Sequence, residues 1–132
     1  MEDHAPQNNY KERRRVTTFR RVIIESPFRA PSKRIARQNV KYALAAMRDS
    51  IRRSEAPFLS HMMYPGALDD NILIERLLGI DLGYAWWPAA EAICFYCDLG
   101  WSSGMLDAKM RARAQGMNTE ERYLAKDLNA NH

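Results

Sequence analysis

Short β-branched runs alternate along this chain with longer stretches whose apolar residues return at helical spacing. Arg20-Arg21 gives way to Val22-Ile23-Ile24-Glu25-Ser26, a run halted by Pro27, which predicts a buried strand and its exit loop. From Ser32, a suitable N-cap, to Ser54, the positions Val40, Leu44, Met47 and Ile51 recur every turn while Lys33, Arg37, Lys41, Arg48 and Arg52 take the other side. That pattern predicts an amphipathic helix with the four apolar residues turned to the core. Residues 56–61 read as a second strand, and the loop 62–70 follows with Pro65-Gly66 as its turn signal. A second helix is predicted from Asn71 to about Trp87, capped by Asp69 or Asp70 and closed by Pro88, with Gly79 and Gly83 allowing close packing.

Residues 92–97 form the most apolar run and the expected centre of the sheet. After the turn at 98–104, Met105 to about Gln115 reads as a helix with Gly116 as its stop, and the more polar run 119–124 suits an edge strand. Strands and helices that alternate in this way predict an α/β domain with a mostly parallel sheet and right-handed crossovers. Ligands of such sheets bind outside the carboxyl ends of the strands. The loops expected there are Ser26-Pro27-Phe28-Arg29, His61-Met62-Met63-Tyr64 and Asp98 to Gly104, where polar and aromatic residues gather without a packing reason.

Composition narrows the class. One ordinary domain accounts for 132 residues, and 46% apolar with 27% charged residues is the balance of a globular chain. No run reaches the roughly 18 apolar residues of a membrane span, and MEDHAPQNNYKERRR lacks the apolar stretch of a secretory signal, so a cytoplasmic location without membrane contact is expected. Of the net charge of +4, +3 resides in residues 1–21. A polar, basic arm over 1–20 is therefore expected ahead of a domain spanning 21–126, with a short tail at 127–132; the arm, through residues 11–21, is the one segment charged enough to meet nucleic acid. Cys94 and Cys97 sit at odd spacing in one strand, which turns them to opposite faces as two free thiols.

Several chemistries are absent. Asp69, Asp70 and Glu75 have no His or Cys at ligand spacing and suit helix capping, so no metal is expected. Gly100 to Gly104 lacks both the lysine of a phosphate-binding P-loop and the spacing of a dinucleotide fingerprint, and no cofactor is expected. Trp86 and Trp87 suit helix packing or a contact between two copies.

Taken in order, Ile24-Glu25-Ser26-Pro27-Phe28-Arg29, Asn39, the strand at 56–61, Leu68-Asp69-Asp70, Glu75-Arg76, Gly79-Ile80, Gly83 and Ser102-Ser103-Gly104-Met105 resemble a family of small domains, often carried by bacteriophages, related to the nucleoside 2-deoxyribosyltransferases. The resemblance covers residues 22–124 and is sharpest at the Ser-x-Gly-Met turn and the Ser-Pro-Phe-Arg loop. It implies a small flavodoxin-like or Rossmann-like three-layer sandwich with four or five strands, a nucleoside or nucleotide ligand, often a homodimer, and cleavage or transfer of an N-glycosidic bond. If a phage encodes the chain, the location would be the host cytoplasm.

The resemblance also places residues. Ser102 matches a serine that binds a 5′-phosphate, with the amides of Ser103 and Gly104 assisting at the helix start and Met105 completing the turn, and Arg29 matches a loop arginine that joins the same phosphate. Ser26, Pro27, Phe28 and Tyr64 complete the expected binding set, the two rings as platforms for a base. The essential glutamate of the enzymes falls four residues after the glycine of the turn, where this chain has Ala108. Asp107, one residue earlier, Asp98 at the end of the third strand and His61 at the rim are the remaining candidates for the catalytic group. The readings left open are an enzyme using one of these, a nucleotide-binding or regulatory module without turnover, and a nucleic-acid accessory protein acting through the arm.

Overall fold

The computed structural model describes residues 19–124. The tail at 127–132 and all but the end of the basic arm lie outside the described residues, and with them most of the nucleic-acid segment at 11–21. The elements run β1 (Arg20–Glu25), α1 (Lys33–Arg52), β2 (Glu55–Phe58), α2 (Leu73–Tyr84), β3 (Ala92–Tyr96), α3 (Ser103–Ala114) and β4 (Thr119–Arg122), with 3-10 turns at Ser60–Met62, Tyr64–Gly66 and Trp87–Ala89. All pairings are parallel and the strand order is β2-β1-β3-β4. The fold is a small flavodoxin-like three-layer sandwich. β3 is central and buried along its whole length, and β4 is an edge, as the pattern predicts.

Two apolar clusters divide at the sheet because successive residues of a strand face opposite sides. Val22, Ile24, Cys94 and Tyr96 meet Ala43 and Ala46 of α1. Ile23, Ile93, Phe95 and Cys97 meet Trp87 and the Met105, Ala108 and Ala112 face of α3. Cys94 and Cys97 thus lie on opposite faces as buried free thiols.

α1 departs from the sequence expectation. Its N-cap is Ser32, whose Oγ accepts from the Ile35 amide at 3.2 Å, but the buried positions are Asn39, Ala43, Ala46 and Ser50. Val40, Leu44 and Ile51 face outward at 36%, 43% and 53% exposure. Small residues let the helix settle close to the sheet, and the two polar ones are satisfied: Asn39 Nδ2 donates to the Phe28 carbonyl at 3.2 Å and Ser50 Oγ donates to Glu55 at 2.7 Å.

On that same face an ionic network takes the place of apolar packing. Arg122 is 5% exposed and binds both oxygens of Glu55 at 2.8 and 2.7 Å, with Tyr96 at 2.9 Å and Glu120 at 2.7 Å. Arg20 joins Glu55 and Glu120, and the Tyr96 hydroxyl donates to Asp49 at 2.6 Å. Although burial alone opposes charge on each, the arginine contacts keep Glu55 and Glu120 below the usual carboxylate range. The network ties all four strands to the last turn of α1.

Candidate functional site

The chain leaves β1 toward β2 on one side and returns past it to β3 on the other, so the β1/β3 carboxyl edge is the switch point at which such sheets open a crevice. A cavity of about 300 Å³ lies there, lined by Glu25 and Ser26 at the end of β1, the turns after β2, the inner side of α2 and the start of α3. Ten of the twelve residues expected at a site from sequence alone line it together: Ser26, Phe28, Arg29, His61, Tyr64, Ser102, Ser103, Gly104, Met105 and Asp107.

Two expectations fall elsewhere. Asp98 is not among the lining residues; its Oδ1 accepts from the Tyr42 hydroxyl at 2.5 Å and from the Leu124 amide at 2.8 Å, so it ties α1 to the segment after β4. This is a correction to its placement as a spare carboxylate at the rim: the residue after β3 is drawn to the α1 side. Pro27 is likewise absent from the lining and stands in the irregular segment that follows β1.

His61 stands in the 3-10 turn Ser60–Met62, beyond a second strand that ends at Phe58 instead of reaching residue 61. Pro57 and the tight turn explain the shorter strand, since proline lacks the amide that extends a ladder. His61 Nε2 shares a 2.8 Å hydrogen bond with Ser26 Oγ, and its ring meets Phe28 edge-on at 6.2 Å. Burial lowers its pKa to about 4, so the imidazole is neutral at pH 7 and acts there as a hydrogen-bonding group.

The start of α3 and two arginines, Arg29 and Arg76, are among the residues that line the cavity. Ser102 is the N-cap and its Oγ accepts from the Met105 amide at 3.2 Å, leaving its own proton to donate outward. The amides of Ser103 and Gly104 belong to the first turn and have no intrahelical acceptor. Arg29 reaches Asp70 at 3.8 Å, a long and exposed pair, while Arg76 lines the cavity with no ion-pair partner among the described residues. Two tyrosines also line the cavity: Tyr64, fixed by a 2.9 Å bond from Trp86 Nε1, and Tyr84, which packs edge-on to Trp87 at 5.0 Å and lies under the Arg111 guanidinium at 3.8 Å.

The acids near α2 are occupied locally. Asp69 Oδ1 accepts from the Asn71 amide and Glu75 Oε1 from the Asp69 amide. They shape the turn before α2 without capping it, for the N-cap residue is Ile72 and α2 starts at Leu73, two residues later than expected. Among the described residues no group of three His, Cys, Asp or Glu side chains could hold a metal ion.

Sequence reasoning missed Glu25, Arg76, Tyr84 and Trp87 as cavity residues. For Glu25 a signal existed: the strand period puts it on the face of Ile23, the side that α3 covers, so a carboxyl at the end of an apolar run had to meet the crevice. For Arg76 and Tyr84, the signal was their spacing of two turns, which sets them on one side of an otherwise largely apolar helix.

A family model described as Domain of unknown function (DUF7768) matches residues 20–122. Comparison with the curated proteins and with the solved structures finds no match to either.

Proposed function

The chain belongs to the DUF7768 family, and from the geometry of the cavity we propose that it binds a nucleoside monophosphate and cleaves or transfers its N-glycosidic bond. One observation carries the reading: a single cavity is lined by a capped helix start, two arginines and aromatic rings. Free amides at a helix N-terminus and guanidinium forks suit a phosphate, and ring faces suit a base. A volume of about 300 Å³ holds a small ligand of this size class with its end open to solvent. The fold's switch point is where such ligands sit in related architectures.

A binding module without turnover has its own support. Ala108, where the resemblance puts the enzymes' glutamate, is 1% exposed and packed among Met105, Phe95 and Ile93. The outward face of α2 supports a homodimer, since Leu73, Ile74, Leu77 and Leu78 are 45–74% exposed in one stripe.

The test is a panel of nucleoside monophosphates and nucleosides, followed by chromatography for released base and by thermal shift for binding. Arg29→Ala and Ser102→Ala are expected to weaken monophosphates about tenfold or more and nucleosides little. Equal losses for both would refute the phosphate assignment. Binding without released base would favour the module.

A further inference from the structure

The cavity holds one acid that the reading above leaves unassigned. Glu25 is the last residue of β1, and by the two-residue strand period it shares the face of Ile23, which packs with Met105 and Ala108 of α3. It lines the cavity and makes no hydrogen bond or ion pair with any described residue. The other acids there are committed or in water. Asp70 pairs with Arg29, Glu75 accepts the Asp69 amide, and Asp107 is exposed on α3. The carboxyl that α3 lacks at Ala108 is thus presented from the facing strand.

We propose that Glu25 is the catalytic acid of this cavity, giving its proton to the base as the base departs. The assignment rests on the nucleotide reading of the site. In the step, the bond between C1′ and the base nitrogen breaks and its electron pair stays with the nitrogen, which takes the proton from the Glu25 carboxyl. A water oxygen then bonds to the cationic C1′, and the proton that this water loses returns to the Glu25 carboxylate. Free base and sugar phosphate are the products, and no oxidant or metal is consumed.

Its surroundings favour the protonated starting form. Burial without a compensating partner raises the Glu25 pKa to about 8. The cations facing the cavity are Arg29 from the β1 loop, already beside Asp70, and Arg76 from α2; neither pairs with Glu25. Tyr84 on α2 is itself raised, by burial first and then by Glu25, and His61 is a neutral ring. No group on these elements therefore holds Glu25 ionised at pH 7.

The experiment uses the full chain, the same panel of nucleoside monophosphates, and Glu25→Gln beside wild type. Base release by Glu25→Gln is expected to fall about 100-fold or more in kcat with KM changed less than threefold. The wild-type pH profile of kcat/KM is expected to decline above a pKa near 8, and the residual activity of Glu25→Gln to lose that limb. Wild-type rates in Glu25→Gln, or a limb that persists in it, would overturn the assignment. Should the variant not fold, a wild-type profile flat from pH 6 to 9 overturns it alone. Wild type that binds monophosphates but releases no base overturns the acid role and leaves the binding site standing. Wild type that binds none removes the nucleotide reading itself.

Discussion

Gly83 of α2 and Ser60 of the turn after β2 touch with no room for a methyl group between them: a Cβ on Gly83 would stand 2.5 Å from Ser60 Oγ and 2.8 Å from Ser60 Cβ. The contact brings the turn that carries His61 against the helix that carries Arg76 and Tyr84, so it sets the width of the cavity. Gly83→Ala is expected to lower stability by about 1–3 kcal/mol through overpacking and to weaken ligand binding. Adding Ser60→Gly should restore much of both. Chemical denaturation and a binding isotherm on the single and double variants measure this, and a neutral Gly83→Ala would show that the turn shifts freely.

The Arg122 and Glu55 pair is buried on both sides, with side chains 4% and 6% exposed. Removing one partner leaves the other charge without compensation, so Arg122→Met is expected to cost about 3–5 kcal/mol. Replacing Glu55 and Arg122 together with apolar residues should recover most of the loss, because burial of the pair itself gives little net stability. Urea unfolding of the two single variants and the double variant closes the cycle; additive losses would mean that the two residues do not act as a unit.

The alternation of elements and the central place of β3 were legible because strand composition and helix spacing are local properties. The inward face of α1 was not. Val40, Leu44 and Ile51 are the larger apolar residues, yet the helix turns Asn39, Ala43, Ala46 and Ser50 to the sheet, because close approach favours small side chains and two polar ones find partners across the layer. Arg122 was hidden for a similar reason: a polar strand suits an edge, but its guanidinium finds Glu55 from 67 residues away. The site was legible where a loop announces itself, at Ser26 to Arg29 and Ser102 to Met105. Glu25 was legible only as a carboxyl on the face of Ile23 at the end of an apolar strand, since its role depends on what α2 and α3 place opposite it. Asp98 was misplaced for the converse reason, because Tyr42 draws it to the other side.

The stripe of Leu73, Ile74, Leu77 and Leu78 on α2 is expected to meet a second copy of the chain. Light scattering should then give twice the mass of one chain for wild type, and Ile74→Asp with Leu78→Asp should give the single mass with the fold intact by circular dichroism. A wild type that remains single at high concentration would refute the contact.

Two groups in the cavity titrate in opposite senses, and their pH effects should mask one another. His61 has its folded pKa lowered to about 4, so between pH 4 and 6.5 the unfolded chain holds a proton that the folded one does not, and stability falls as pH falls through that window. Glu25 has its folded pKa raised to about 8, so between pH 4.5 and 8 the folded chain holds the extra proton, and stability falls as pH rises. Each slope approaches about 1.4 kcal/mol per pH unit at full strength. Wild type should therefore be nearly flat from pH 5 to 6 and lose stability from pH 6.5 to 8. Glu25→Gln should unmask the histidine, with stability rising from pH 5 to 6.5 and level above; His61→Gln should unmask the glutamate, with stability falling across the whole range. Melting temperatures of the three proteins in matched buffers decide this, and three parallel curves would mean that neither side chain is buried from water as described.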